Sequence, residues 1–134
     1  MDDNKFLPKL SQNLLELLDD DEFYDVTIEV GSDPYVKIFR AHMNILNYRS
    51  PYFRKILSDK NKSHGTLTHI KLSDVLPEIF QIILRYIYGG KLFSDEYTNF
   101  SVFFKTLVAA SEFDLQELIR YSIQIIFLRF RKIF

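Results

Sequence analysis

A helix cannot run through a proline unbroken, and Pro51 stands inside an apolar run that otherwise keeps helical spacing. In Arg40 to Leu57, RAHMNILNYRSPYFRKIL, the residues Ala41, Ile45, Leu46, Tyr48, Tyr52, Phe53, Ile56 and Leu57 recur at intervals of three and four. The spacing predicts two short helices, 42 to 48 and 51 to 58. Ser50 caps the second, and Pro51 takes its first position, where a missing N–H costs nothing. The segment is a helical hairpin that directly follows a β-rich stretch, so the fold class is α+β.

The strands are read from alternation. Tyr24 to Val30, YDVTIEV, sets Val26, Ile28 and Val30 against Asp25, Thr27 and Glu29, the period of a half-buried strand. Gly31-Ser32-Asp33-Pro34 is a turn, and Tyr35 to Phe39 returns as the second arm of a hairpin. A polar loop, Ser58 to Thr66, leads to a third strand at Leu67 to Leu72.

Helices flank this β-rich part. Leu7, Leu10, Leu14, Leu15, Leu17 and Leu18 form a helical stripe over residues 6 to 18, with Pro8 near its start and the acidic run Asp19 to Glu22 at its end. The stripe packs either on its own core or on a second copy. Pro77 and Glu78 open a helix reaching about Tyr88, with Ile79, Phe80, Ile83, Leu84 and Ile87 inward and Gly89-Gly90 as its stop. Lys91 to Asn99 is a loop. Helices resume over Phe100 to Ser111 and from Asp114, as its start, to about Ile126.

The chain has 134 residues, 47% of them hydrophobic, which is enough for one domain with a core of its own. A net charge of -1 argues against a general nucleic-acid binder. With no Cys, disulfides, thiolate zinc sites and cysteine nucleophiles are excluded. The N-terminus has acids where a signal peptide needs bases, so a cytoplasmic or nuclear location is expected. Charge is uneven: eight acids stand against Lys5 and Lys9 up to Asp25, whereas Arg120, Arg129, Arg131 and Lys132 near the other end face no acid. Such ends are solvated, or attract each other within a chain or between copies.

No catalytic or metal-binding pattern emerges. His42, His64 and His69 lack a second ligand at a helical spacing, and nucleophile elbows, P-loops and dinucleotide fingerprints are missing. No enzyme and no cofactor are expected. What stands out is 13 Phe and 8 Tyr, residues that serve cores and interfaces alike.

An ordered set of segments now resembles the BTB/POZ domain family. It comprises Asp25-Val26, Phe39-x-Ala41-His42, then Leu46, Ser50, Tyr52 and Phe53, and Ile70-x-Leu72-x-Asp74-Val75. Pro77-Glu78-x-Phe80, Leu84-x-Tyr86-Ile87-Tyr88-x-Gly90 and Leu107-x-Ala109-Ala110-x-x-Phe113-x-Leu115 follow in family order. The resemblance implies a small three-stranded sheet capped by about five helices. The N-terminal amphipathic helix at 1–22, a dimerisation segment, is additional to it. The BTB domain itself spans 23–118, and 119–134 is an apolar basic tail, read as a truncated or variant end that packs on the core or a partner, or as an interfacial helix. That tail is not a membrane span.

The function implied is protein interaction: self-association as a homodimer or with other BTB proteins, and service as a substrate adaptor of a cullin-RING ubiquitin ligase through cullin-3. The dimer interface is expected at Leu7, Leu10, Leu14, Leu17, Asp25 and Met43. Met43 replaces the base that often follows the family histidine, so the charged pocket near Asp25 lacks its usual partner. Cullin contacts are expected at Tyr52, Phe53, Leu57, Asp59, Tyr97 and Phe100, with Leu57-Ser58-Asp59 the nearest string to the family's hydrophobic-x-acid motif. The alternative is a dimerisation-only or dominant-negative scaffold.

Overall fold

The computed structural model describes residues 3–20, 22–60, 67–92 and 99–133. Strand β1, Val26–Val30, is central in a three-stranded sheet of order β2-β1-β3, between β2, Lys37–Ala41, and β3, Thr68–Leu72. β2 runs antiparallel, with Val30 opposite Lys37 and Val26 opposite Ala41; β3 runs parallel, with Val26 opposite Thr68 and Val30 opposite Leu72. Val26, Ile28, Val30, Phe39, Ala41, Ile70 and Leu72 face the core from one side of this sheet.

The second strand begins later than Tyr35. The reversal after β1 takes up residues through Val36: Gly31 has φ 98, its N–H donates to Leu72 O (2.9 Å), and Tyr35 N–H donates to Ser32 O (2.8 Å). A side chain at φ 98 would be strained, which suits glycine.

Among the described residues six α-helices, with a short 3₁₀ turn at Asp3–Phe6, accompany the sheet: α1, Leu7–Asp19; α2, Met43–Arg49; α3, Pro51–Lys60; α4, Pro77–Gly89; α5, Phe100–Glu112; and α6, Gln116–Ile133. α4 is the middle of the helical layer, contacted by α1, α2 and α5. It buries Ile79, Phe80, Ile83, Leu84 and Ile87, the expected face, and also Tyr86 and Tyr88.

The two glycines after it do different jobs. Gly90, at φ 65, closes the helix and donates its N–H to Tyr86 O (2.9 Å). Gly89 is still helical, and a Cβ there would lie 2.6 Å from Leu15 Cγ, so its bareness lets α1 pack directly on α4.

Ser50 caps α3 as the Ser-Pro break predicts. Its Oγ accepts from Phe53 N–H (3.3 Å) and donates to Phe113 O (3.0 Å), pinning the hairpin to the α5–α6 turn. Asp114 does not start α6. It lies in that turn at φ 57, its carboxylate accepting from Gln116 Nε2 (2.8 Å), and the helix begins at Gln116. α6 then continues past Ile126, without a break, to Ile133.

Candidate interaction surfaces

The join between β2 and α2 is held by Asp25, His42 and Tyr88. Asp25 N–H donates to Ala41 O (3.1 Å), and its carbonyl accepts from Thr68 N–H (3.2 Å). The Asp25 carboxylate accepts from Met43 N–H (2.7 Å), placing negative charge at the α2 N-terminus, where the helix leaves N–H groups unpaired. Asp25 thus acts on its own chain, with its side chain still at the surface. Met43 is half-buried and packs on the core.

His42 is buried, and one neutral tautomer with its proton on Nε2 satisfies all its contacts. Nε2–H donates to Glu22 O (3.3 Å), Tyr88 O–H donates to Nδ1 (2.8 Å), and His42 backbone N–H donates to the Tyr88 oxygen (2.7 Å). Burial raises the Tyr88 hydroxyl pKa above its ordinary value; the His42 N–H bond opposes the rise and the Asp25 charge adds to it. His42 is therefore a brace between β2, the α1–β1 connection and α4.

The residues expected at a cullin surface separate by burial. Phe53, at 0% exposure, stacks on Phe113 (5.4 Å between centroids) and meets Phe80 edge-on (6.3 Å). Leu57 is 2% exposed. Both belong to the core, which corrects their assignment to a partner surface: they are the inward positions of α3. Tyr52 is half-buried against Phe53 and Phe113, with its pKa raised by burial and then by Glu112 and Asp74. Asp59 and Phe100 are exposed, and Tyr97 lies outside the described residues.

The leucine stripe of α1 also divides. Leu15 is buried against Gly89, while Leu14, Leu17 and Leu18 are half-buried, and the Ser11 hydroxyl donates to Gly89 O. Leu7 and Leu10 are 53% and 55% exposed, beside exposed Phe6. One side of α1 is thus spent on α4, and the side at its first two turns is open.

A further surface lies on α5, where periodicity does not mark it. Phe100, Phe104, Val108 and Glu112 follow one another at intervals of four along α5, and the first three are exposed, Phe100 and Phe104 edge-on at 4.6 Å. Phe104 and Val108, with Leu76, wall a groove of about 320 Å³ floored by Val75, Ile79 and Ala109, with Asp74, Lys105 and Glu112 at its rim. The α5 sequence is apolar on both sides, so spacing alone could not tell its core side from its open side. Among the described residues no group of three or more His, Asp or Glu could hold a metal ion, and no helix is long and apolar enough to cross a membrane.

Comparison with known proteins gives one answer by three routes. The BTB/POZ domain family matches residues 14–126. Kelch-like protein 41b of Danio rerio is 33% identical over 84 residues, 62% of this chain and 13% of the relative. Hypermethylated in cancer 2 protein of Mus musculus is 34% identical over 116 residues, 84% of this chain and 17% of the relative. The chain therefore spans only a small fraction of the length of these curated relatives. Among solved structures, the BTB domain of zebrafish PATZ1 superposes with a TM-score of 0.71 at 22% identity, covering 94% of each chain, which establishes the likeness of fold. With the β2-β1-β3 sheet, its helical cover and the match over residues 14–126, the chain belongs to the BTB/POZ domain family, a family of protein-interaction modules.

Proposed function

We propose that this chain is a BTB module that pairs with a second copy of itself, or with another BTB protein, and in that form acts as a substrate adaptor of a cullin-RING ubiquitin ligase. The observation that carries the pairing is α1. Its Leu15 side is committed to α4, yet Phe6, Leu7 and Leu10 are exposed in a row at its start. Apolar side chains clustered on a helix cost free energy in water, at about 25 cal/mol per Å² of apolar surface, and a second copy of α1 would remove them from it.

Light scattering tests the pairing. At a fixed concentration the chain should exceed its single-chain 16.0 kDa, and Leu7→Asp with Leu10→Asp should lower that mass. An unchanged mass in the variant would remove α1 from the interface. The adaptor role is tested by calorimetric titration with the cullin-3 N-terminal domain, with Asp59→Lys and Phe100→Asp expected to weaken binding. Absence of heat from the unaltered chain at tens of micromolar would overturn that role and leave pairing intact.

The pairing-only scaffold is the second reading. It is favoured by the burial of Phe53 and Leu57, which leaves Tyr52, Asp59 and Phe100 as the described residues of that expected surface.

A further inference from the structure

Two apolar surfaces, one on α5 and one on α6, carry opposite rim charges. The first is the α5 groove. Leu76, Phe104 and Val108, the last 58% exposed, stand above a buried floor, and the rim holds two acids, Asp74 and Glu112, against Lys105. Lys105 is exposed, and its long stem lets the ammonium move aside into solvent. Asp74 and Glu112 act as one negative edge, since both raise the Tyr52 hydroxyl pKa.

The second surface is on α6. Arg120, Ile123, Phe127 and Arg131 are spaced three, four and four apart, so they share one face of the helix, and all four are exposed, Phe127 at 70%. Two apolar side chains are bracketed by two arginines, and α6 has no acid after Glu117. Phe127 and Arg131 also lie beyond the family match, which ends at residue 126, so the family pattern does not account for this face.

We propose that α6 of one copy seats Ile123 and Phe127 in the α5 groove of a second copy, with Arg120 and Arg131 over the Glu112 and Asp74 rim. An apolar pair at i and i+4 is the usual way a helix anchors in such a groove, and opposite charges set its direction. The groove cannot be filled from within the chain. α6 is already packed on α5 and tied to α4 by the Tyr86 hydroxyl, which donates to Glu117 Oε1 (2.5 Å). Donor face and groove are different surfaces, and docked head to tail each copy added leaves one face and one groove open. This association is independent of pairing through α1 and adds copies head to tail.

Sedimentation equilibrium on the full chain carrying Leu7→Asp and Leu10→Asp removes the α1 contribution, so failure of that pairing and failure of this contact are separable. The weight-average mass should climb with concentration past two chains. Phe127→Asp and Val108→Asp, both at exposed positions where the fold survives, should each hold the mass at one chain. Mixed together, these two variants should form one-to-one pairs and go no further, because each retains the half that the other lacks. A mass fixed at 16.0 kDa before either substitution, growth undiminished by Phe127→Asp, or a mixture that stays unpaired would each overturn the proposal. Circular dichroism of both variants confirms that a lost contact is not a lost fold.

Discussion

Helices α4 and α6 are both dense in Ile, Phe and Tyr, and they meet opposite fates. α4 buries Ile79, Phe80, Ile83, Leu84, Tyr86, Ile87 and Tyr88, whereas α6 buries Leu118 and Ser122 but leaves Tyr121, Ile123, Phe127 and Leu128 exposed. Neighbours make the difference. α4 has α1, α2 and α5 against it, while α6 rests mainly on α5 and meets α4 through Glu117. An apolar residue is buried by what surrounds it. Its own hydropathy only sets how much is gained when something does.

The comparison is broken most severely at Phe80, which meets Phe39, Phe53 and Phe113 at 5.2, 6.3 and 5.6 Å. Phe80→Ala should remove about 3–5 kcal/mol of stability, read from urea denaturation, because the cavity lies where four elements meet and cannot collapse. A smaller loss is expected at the α1–α4 contact. Gly89→Ala improves helix propensity by about 1 kcal/mol but drives a methyl into the Leu15 side chain, and overpacking of that kind costs about 1–3 kcal/mol. The net effect should be a loss of about 1 kcal/mol, with α1 cut sooner by protease.

The bond between the two helices gives a pH dependence. Burial, then the hydrogen bond and charge of Glu117, push the Tyr86 hydroxyl up to about 12, with Arg49 opposing, and Tyr88 is raised as well. In the unfolded chain these phenols ionise near their ordinary value of 10.0. Below that pH both states hold the protons and stability is unaffected. Above it the unfolded state releases them first, so stability should fall as pH rises from 10 through 12. Tyr86→Phe and Tyr88→Phe should flatten this alkaline limb of the urea midpoint. A slope unchanged in both variants would show that other groups cause it. The smallest effect is expected at Phe127, where truncation to Ala removes little buried surface and should change stability by less than about 0.5 kcal/mol.

Much of the fold was legible because local chemistry and tertiary contact agree. Ser50-Pro51 caps α3, Gly90 ends α4, and the five apolar positions expected inside α4 are inside. The rest depended on distant parts of the chain. Nothing near Thr68–Leu72 says that it joins β1 in parallel, and nothing near His42 announces Tyr88, 46 positions away. The late start of β2 came from a reversal longer than its Gly-Ser-Asp-Pro signature suggests. At the interaction surface, a Phe or Leu at helical spacing reads the same whether it fills a core or meets a partner. Phe53 and Leu57 therefore read as partner contacts although they are core, and spacing does not single out the exposed Phe104 and Val108.

The central claim is that the open side of α1 pairs two BTB modules, and light scattering on the chain carrying Phe127→Asp tests it most directly, since that substitution leaves α1 intact and closes the α6 route. The account predicts a mass of twice 16.0 kDa that falls to 16.0 kDa when Leu7 and Leu10 are also changed to Asp. A single-chain mass with Leu7 and Leu10 intact, at concentrations up to tens of micromolar, would contradict it.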